Sequence, residues 1–178
     1  MSHHQNSGFE VRECGAREYL ITQSEMRSFT ESRNENTIDQ LWLLEHPPVY
    51  TQGVSCDERT LRASTIPVVK SDRGGHITYH GPGQLVIYSL IDLRRRGFGI
   101  RILVNVMEQA VIDYLGMFGV SATRQRGAPG VYVDGAKIAA LGLRVRKGSS
   151  YHGLSLNVDM DLTPFDNINP CGYQGLQT

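Results

Sequence analysis

Several features that mark whole classes of proteins are missing from this sequence. Its 178 residues carry no net charge, because 18 lysines and arginines balance 18 aspartates and glutamates, so the composition favours neither a nucleic acid nor an anionic membrane as a partner. No apolar run approaches the ~20 residues that cross a bilayer. The polar start MSHHQNSGFE contains no apolar signal core. We therefore expect a cytoplasmic protein that acts on neither nucleic acids nor membranes.

Cysteine is scarce as well, occurring only as Cys14, Cys56 and Cys171. An odd count without a CxxC pair argues against disulfides in a cytoplasmic chain. Metal-ligand spacing is also absent from the histidines in the interior of the chain, which are His46, His76, His80 and His152. We expect neither a disulfide nor a metal site.

What the chain does contain is enough apolar sequence for one folded domain. Hydrophobic residues make up 40% of it, and a chain of this length can bury a core. Neither repeats nor a linker divides it, so we expect a single domain over residues 1–178, with about the first eight residues disordered. The sequence stops after GLQT without a helix or cap signal, and we expect the natural protein to continue beyond residue 178.

Apolar periodicity predicts two helices. One is expected within AREYLITQSEMRSFTESR, with Tyr19, Met26 and Phe29 on one face. The other lies within IRILVNVMEQAVIDYLGMFG, where Gly119 is a plausible stop signal. The apolar face expected for this second helix comprises Ile102, Leu103, Val106, Met107, Ala110, Val111, Tyr114, Leu115 and Phe118.

Strands are expected in the segments GFEVREC, DQLWLLEH, VYTQG, PVVK, QLVIYSLIDL and SYHGLSLNVDM. The segment QLVIYSLIDL is apolar on both faces, which is typical of a central strand covered on both sides. A hairpin is expected in VYVDGAKIAALGLRVRKG, because Asp134-Gly135 is a strong two-residue turn signal. Several strands mixed with two helices indicate an α+β fold and not regular βαβ alternation.

Lys137 stands out within that hairpin. Counting every second residue from it gives Ala139, Leu141, Leu143 and Val145, an apolar row that period two directs inward. Burial disfavours the ammonium form of a lysine, so a lysine there needs an anionic partner or a role in proton transfer. The structural alternative is that Lys137, close to the turn, extends its ammonium to solvent.

Cys171 is the other residue with an unusual setting. It lies between Pro170 and Gly172 in a segment without periodicity, and loops on a rigid scaffold are where chemistry tends to be placed. A thiolate beside an ammonium is stabilised, so Cys171 next to Lys137 would form a nucleophile–base pair. The alternative is that Cys171 is a small buried hydrophobe; Cys14 and Cys56 are interpreted in that structural way.

A glycine-rich segment, SDRGGHITYHGPGQL, forms a second constellation. Its glycines permit close approach of the backbone to a ligand, and Arg73, His80 and Gln84 supply hydrogen-bond donors. It matches neither GxGxxG nor GxxxxGK[ST], so it does not predict a nucleotide site. A tight hairpin with structural glycines explains the spacing equally well.

Five motifs, in order and at matching spacing, resemble the octanoyltransferases of lipoate biosynthesis. They are EHPPVYTQG, DRGGHITYHGPGQLVIYSLIDL, APGVYV, AKIAALGLRVRKGSSYHGLSLNVDMDL and FDNINPCGY. The resemblance implies the fold of lipoate and biotin protein ligase catalytic domains, an α/β sandwich around a mixed sheet with flanking helices. It also implies that no cofactor is needed, because exchange of one thioester for another requires neither ATP nor a metal.

The resemblance implies a role for particular residues. Cys171 matches the acyl-accepting cysteine of the family, and Lys137 matches the lysine paired with it. Three stretches match substrate-binding segments, and their residues are Arg73, Gly74, Gly75, His76, Ile77, Thr78, Tyr79, His80, Ala140, Leu141, Gly142, Gly153, Leu154 and Ser155. Two positions depart from the family pattern, because His76 stands where glutamine is expected and Ala140 where serine is common. Both departures alter the polarity of the expected pocket without removing a catalytic group.

The partners implied by the resemblance are a donor and a set of acceptors. The donor is octanoyl-acyl carrier protein, whose octanoyl group forms a thioester with Cys171. The acceptors are lysines in the lipoyl domains of 2-oxoacid dehydrogenase E2 subunits and in the glycine cleavage H protein. Two other functions stay open: an ATP-dependent lipoate or biotin ligase on the same fold, and a non-catalytic module that binds an acyl carrier. A cysteine hydrolase is disfavoured, because a dry acyl pocket with a lysine base suits aminolysis.

Overall fold

The computed structural model describes residues 8–56 and 64–168. Seven of its strands form one mixed sheet in the order β1-β2-β6-β10-β9-β8-β7. These strands are β1 (Phe9–Ala16), β2 (Asp39–Glu45), β6 (Gln84–Leu90), β7 (Thr123–Gln125), β8 (Ala128–Val133), β9 (Ala136–Arg146) and β10 (Ser149–Asn157). The pair β1–β2 is parallel and the other neighbouring pairs are antiparallel. The α+β class with a mixed sheet and flanking helices is therefore confirmed.

A small second sheet, which the sequence patterns did not separate from the first, has the order β4-β3-β5. Its strands are β3 (Val49–Gln52), β4 (Val68–Lys70) and β5 (Ile77–His80), and a 3₁₀ turn over Thr163–Asn167 packs against it. Tyr50, Tyr79 and Phe165 form the aromatic core of this part. The Tyr79 ring meets the other two edge-on or tilted, with centroids 5.5 Å from Tyr50 and 5.6 Å from Phe165.

Three helices complete the described chain: α1 (Tyr19–Ser32), the single turn α2 (Leu93–Arg96) and α3 (Ile100–Gly116). Helix α1 buries Tyr19 and Met26, with Phe29 half-buried, as the periodicity predicted. It covers one face of the large sheet, over Trp42 and Val86. Helix α3 covers the opposite face, which follows from alternation along β6. As predicted, β6 is covered on both faces.

The apolar face predicted for α3 is only half correct. Leu103, Met107, Val111 and Leu115 are buried against the sheet, whereas Ile102, Val106, Tyr114 and Phe118 are at least half exposed. A helix packs on a sheet through one row of residues about four apart, so a wider apolar stripe leaves its flank in solvent. Helix α3 ends at Gly116, and Gly119 follows in the closing turn at φ +75°. Among the described residues, no helix is long and apolar enough to span a bilayer.

The predicted hairpin is confirmed, with Asp134 and Gly135 joining β8 to β9 at positive φ, as a type I′ turn requires. The pairing of β8 with β9 contains an irregularity. Val131 pairs with Ala139, but the next residue of β8, Tyr132, pairs with Lys137. Ile138 is therefore an extra residue on β9, a β-bulge, and strict alternation of side chains does not continue through it.

Candidate functional site

A cavity of about 460 Å³ lies between the large sheet and the glycine-rich segment that leads into β5. Its floor is formed by one face of three neighbouring strands. Val86, Ser155 and Ala140 lie side by side across β6, β10 and β9. Two residues away along β10 and β9, the same face carries Gly153 and Gly142. Because four of these five residues are small, the floor lies deep enough to admit a ligand between the sheet and the segment above it.

Arg73 forms the wall opposite this floor. It is buried, and its guanidinium donates hydrogen bonds to the backbone carbonyl and the hydroxyl of Thr51 and to the carbonyl of Gly74. A Cβ on Gly142 would lie 3.0 Å from Arg73 Cδ, so the glycine is required for this close approach. The arginine therefore fixes the shape of the segment, in addition to lining the cavity.

The end of the glycine-rich segment is held by a buried polar chain. His80 Nδ1 lies 2.7 Å from Gln84 Oε1, and Gln84 Nε2 donates to Asn157 Oδ1 at 2.9 Å. Burial lowers the pKa of His80 to about 3, helped by the neighbouring His46. The imidazole is therefore neutral at physiological pH and acts as a hydrogen-bonding group of the wall.

Lys137 lines the cavity and is only 2% exposed. Its Nζ donates a hydrogen bond of 3.1 Å to the Pro129 carbonyl and lies 5.3 Å from the centroid of the Tyr132 ring. The aliphatic stem passes Gly130, where an added Cβ would lie 3.0 Å from Lys137 Cε. The predicted burial of Lys137 is confirmed, and the alternative of a solvent-exposed ammonium is wrong.

The bulge at Ile138 explains how Lys137 reaches the cavity. Ala139 belongs to the core beneath α3, whereas Lys137, on the other side of the bulge, lines the cavity together with Ala140. The alternation from Lys137 to Ala139 and onward therefore predicted the burial of Lys137 correctly but for the wrong reason, because the bulge interrupts that alternation. The same row also fails at its far end, where Val145 is 41% exposed.

A second, partly buried cluster joins the glycine-rich segment to β10. Asp72 accepts hydrogen bonds from Tyr151 Oη, from His152 Nε2 at 2.8 Å and from Gln23 Nε2 at 3.1 Å. Tyr151 and His152 are consecutive strand residues, which normally point to opposite faces. They meet the same carboxylate because His152 has a positive φ of 60°, a conformation that costs energy in a residue other than glycine.

The charges within this cluster follow from burial and hydrogen bonding. The hydrogen bond from His152 holds the pKa of Asp72 well below its usual range, although partial burial opposes it. Burial lowers the pKa of His152 despite the nearby carboxylate, so the ring is neutral and its Nε2 carries the proton. Nδ1 of His152 is then an acceptor at the cavity wall, and it has no hydrogen-bond partner among the described residues.

The structure brings together nearly all of the substrate-binding residues predicted from the sequence. Thirteen of the fourteen line the cavity: Arg73, Gly74, Gly75, His76, Ile77, Thr78, His80, Ala140, Leu141, Gly142, Gly153, Leu154 and Ser155. Tyr79 does not line it, because its ring packs between Tyr50 and Phe165. The predicted nucleophile Cys171 lies outside the described residues. Cys14 and Cys56 are half-buried against core clusters, in keeping with structural roles.

Several lining residues were not singled out from the sequence. They include Tyr19, Tyr88, His152, Asn157 and Phe165. Alternation along QLVIYSL and YHGLSLN could have found Tyr88 and Asn157, because they share the face of Val86 and Ser155. Tyr19 and Phe165 reach the cavity through tertiary packing, for which the local sequence holds no signal. Within residues 8–56 and 64–168, no group of three or more potential ligands could hold a metal ion.

Comparison with known proteins shows which family the chain belongs to. The lipoyl protein ligase A/B catalytic domain matches the chain over residues 19–175. The octanoyltransferase of Aromatoleum aromaticum is 64% identical over 169 residues, covering 94% of this chain and 73% of its own. The octanoyltransferases of Thiobacillus denitrificans and Pseudomonas putida are 63% and 58% identical, each covering 93% of this chain and 77% of the relative.

Solved structures show the same fold at low sequence identity. Lipoate-protein ligase A bound with ATP superposes with a TM-score of 0.79 at 14% identity, covering 97% of this chain and 76% of the ligase. A putative lipoate protein ligase from T. acidophilum with bound lipoic acid gives 0.76 at 15% identity, covering 91% and 72%. A family match over most of the sequence, together with close relatives of one name, leaves a single assignment: the chain belongs to the lipoyl protein ligase A/B catalytic-domain family, among its octanoyltransferases.

Proposed function

We propose that this protein transfers an octanoyl group from octanoyl-acyl carrier protein to a lysine of a lipoyl domain, through a thioester on Cys171. The observation that carries the proposal is the setting of Lys137, a lysine only 2% exposed that lines the cavity. A buried lysine beside a binding cavity is suited to hold a thiolate and to move a proton.

The length of the chain supports pairing Lys137 with Cys171. The described residues end at Ile168, which packs beside the cavity-lining Phe165. Cys171 follows three residues later, and three extended residues span at most about 11 Å. An extension of that length permits the thiol to reach the cavity, which supports the proposed pairing.

The cavity is suited to a medium-length acyl chain. Its lining includes the apolar side chains of Ile77, Val86, Ile138 and Leu154 around the small residues of the floor. Burying an acyl chain there contributes about 0.8 kcal/mol per methylene. An acyl chain that fills the cavity also excludes water from it, which favours attack by an amine over hydrolysis of the thioester.

The first half-reaction is a thioester exchange. The Cys171 thiolate attacks the carbonyl carbon of the donor thioester, the carbon–sulfur bond to the carrier breaks, and the carrier sulfur leaves as a thiol after gaining a proton. The Lys137 ammonium stabilises the attacking thiolate and can supply that proton. One thioester is replaced by another, so the step needs no external energy source.

The second half-reaction forms an amide. The acceptor lysine attacks the acyl-enzyme as a neutral amine, the bond to Cys171 Sγ breaks, and the cysteine leaves as a thiolate. The amine proton passes to Lys137, which restores the starting ion pair. The acceptors we propose are the lipoyl domains of 2-oxoacid dehydrogenase E2 subunits and the glycine cleavage H protein; their recognition and a cytoplasmic location stay predictions.

The experiment that tests this proposal follows both substrates without ATP. The purified protein is incubated with octanoyl-acyl carrier protein and an isolated lipoyl domain, and the mass of the lipoyl domain is recorded. We expect a gain of one octanoyl group, which a lipoyl domain with its acceptor lysine changed to arginine does not show. Modification that requires ATP and free octanoic acid would instead identify a ligase. Tight carrier binding without any transfer would identify a binding module.

A further inference from the structure

A buried carboxylate lies one peptide away from the Lys137 ammonium. Glu108 is on α3 and is 5% exposed. Its Oε1 accepts a hydrogen bond of 2.8 Å from the N–H of Gly130, and its Oε2 accepts one of 3.0 Å from Arg124 Nε. The carbonyl of Pro129, which accepts the 3.1 Å hydrogen bond from Lys137 Nζ, belongs to the same peptide group as the Gly130 N–H.

The two hydrogen bonds therefore act on a single dipole. In a trans peptide the N–H and the C=O point in opposite directions, so the Glu108 carboxylate and the Lys137 ammonium lie on opposite sides of the Pro129–Gly130 peptide. A carboxylate at the N–H draws positive charge toward itself and makes the carbonyl oxygen a stronger acceptor. An ammonium at the carbonyl has the same effect on the N–H.

We propose that Glu108 is a positioning residue for the reaction: acting through the Pro129–Gly130 peptide, it orients Lys137 and stabilises its charged form. This inference rests on the proposed function of Lys137. Glu108 touches neither substrate nor thiol in this role. The Glu108 carboxylate is buried against this peptide. Burying a carboxylate costs free energy unless it is fully hydrogen-bonded.

Other groups on neighbouring elements also face this unit. Arg124, on β7, pairs with Glu108 and also donates to the Asn105 carbonyl and to Gln109 Oε1. Tyr132, on β8, presents its ring to the lysine. Cys171 is the expected thiolate partner. Glu108 is thus placed to influence Lys137 through the shared peptide, and the Arg124 guanidinium moderates the charge of Glu108.

The test compares three variants of the full chain. Glu108→Gln removes the negative charge but keeps an oxygen that can accept from Gly130. Glu108→Asp keeps the charge and withdraws it by one methylene. Arg124→Met removes the neighbouring cation and leaves the carboxylate in place. The readout is the pH titration of the Lys137 Cε resonance in protein labelled with ¹³C-lysine, assigned by its loss in Lys137→Met.

The expected shifts have opposite signs. In Glu108→Gln the titration of Lys137 moves to lower pH by about one unit, because the ammonium loses a nearby negative charge. In Arg124→Met it moves to higher pH by less, because the guanidinium is partly exposed and screened. Glu108→Asp lies between wild type and Glu108→Gln. The rate of single-turnover transfer falls about tenfold or more in Glu108→Gln, while the KM for the carrier is unchanged.

A purely structural Glu108 gives a different pattern. All three variants would then lower the melting temperature while the Lys137 titration stayed at its wild-type position, and that result overturns the proposal. If Glu108→Gln does not fold, the Arg124→Met titration decides, because an unchanged or lowered midpoint contradicts the proposal. The titration needs no substrate, so an inactive wild-type protein would refute the transferase function without deciding the role of Glu108.

Discussion

Replacing Gly130 by alanine tests whether the space beside this glycine holds Lys137 in place. Gly130 has a φ of 145°, which an L-residue adopts only under strain. The new Cβ would lie 2.8 Å from the Ala139 carbonyl and 3.0 Å from Lys137 Cε. Strain and crowding together should cost about 2–4 kcal/mol of unfolding free energy. The lysine stem must also move, and a displacement of about 1 Å at a reacting group can cost about 10²-fold in rate.

The matched control is Gly135→Ala, in the turn of the same hairpin. Gly135 also has a positive φ, of 86°, but nothing lies within 4 Å of an added Cβ. This variant should lose about 1–2 kcal/mol through backbone strain alone and should keep its transfer rate. Urea unfolding gives the stability of both variants, and single-turnover transfer of an octanoyl group to a lipoyl domain gives the rate. A Gly130→Ala protein that is folded and transfers as fast as Gly135→Ala would refute the assignment of Lys137.

Three further predictions concern the cavity and its walls. Lys137→Met should slow acylation and transfer by about 10²–10⁴-fold. Lys137→Arg should acylate but not transfer, because a guanidinium does not release its proton near neutral pH. If Lys137→Arg transfers at the wild-type rate, Lys137 acts only as a counter-charge. Ala140→Leu should fill the floor and shift the preference toward acyl chains shorter than octanoyl, measured by competition between carriers; an unchanged preference would contradict the placement of the acyl chain. Burial lowers the pKa of His46 to about 4 and of His80 to about 3, so the unfolded chain binds more protons than the folded protein below pH ~6.5. The free energy of unfolding should therefore fall by up to about 2 kcal/mol per histidine between pH 6.5 and 5. Urea unfolding at both pH values checks this, and an equal free energy of unfolding would contradict it.

Local pattern was sufficient to predict most of the fold. Period-two and helical spacing located the central strand, both long helices and the hairpin turn, because each of these depends on burial of one face or on turn chemistry at two residues. The exposed flank of α3, with Val106 and Tyr114, was not predictable, since the width of the face that a sheet covers depends on the partner surface. The separate three-stranded sheet was missed for a similar reason: its strands are only three or four residues long, and their pairing is a tertiary property.

The sequence predicted most of the residues that line the cavity, but not the hydrogen bonds and local conformations that hold them in place. The motif resemblance named the glycine-rich wall and the floor residues, and thirteen of those fourteen line the cavity. The bulge at Ile138, the contact of Glu108 with the Gly130 N–H and the shared use of Asp72 by Tyr151 and His152 had no sequence signal. Each of these features either joins residues far apart in the chain or depends on one dihedral angle. Neither kind of feature leaves a repeating pattern in the sequence.

Mass spectrometry of the protein after incubation with octanoyl-acyl carrier protein alone shows whether Cys171 carries the octanoyl group. We expect a gain of one octanoyl group that hydroxylamine removes and that peptide mapping places on Cys171. Cys171→Ser should show no hydroxylamine-sensitive adduct, and Cys14→Ser and Cys56→Ser should acylate as wild type does. An adduct on Cys14 or Cys56, or rapid transfer to a lipoyl domain by the Cys171→Ser protein, would show that Cys171 is not the acyl carrier.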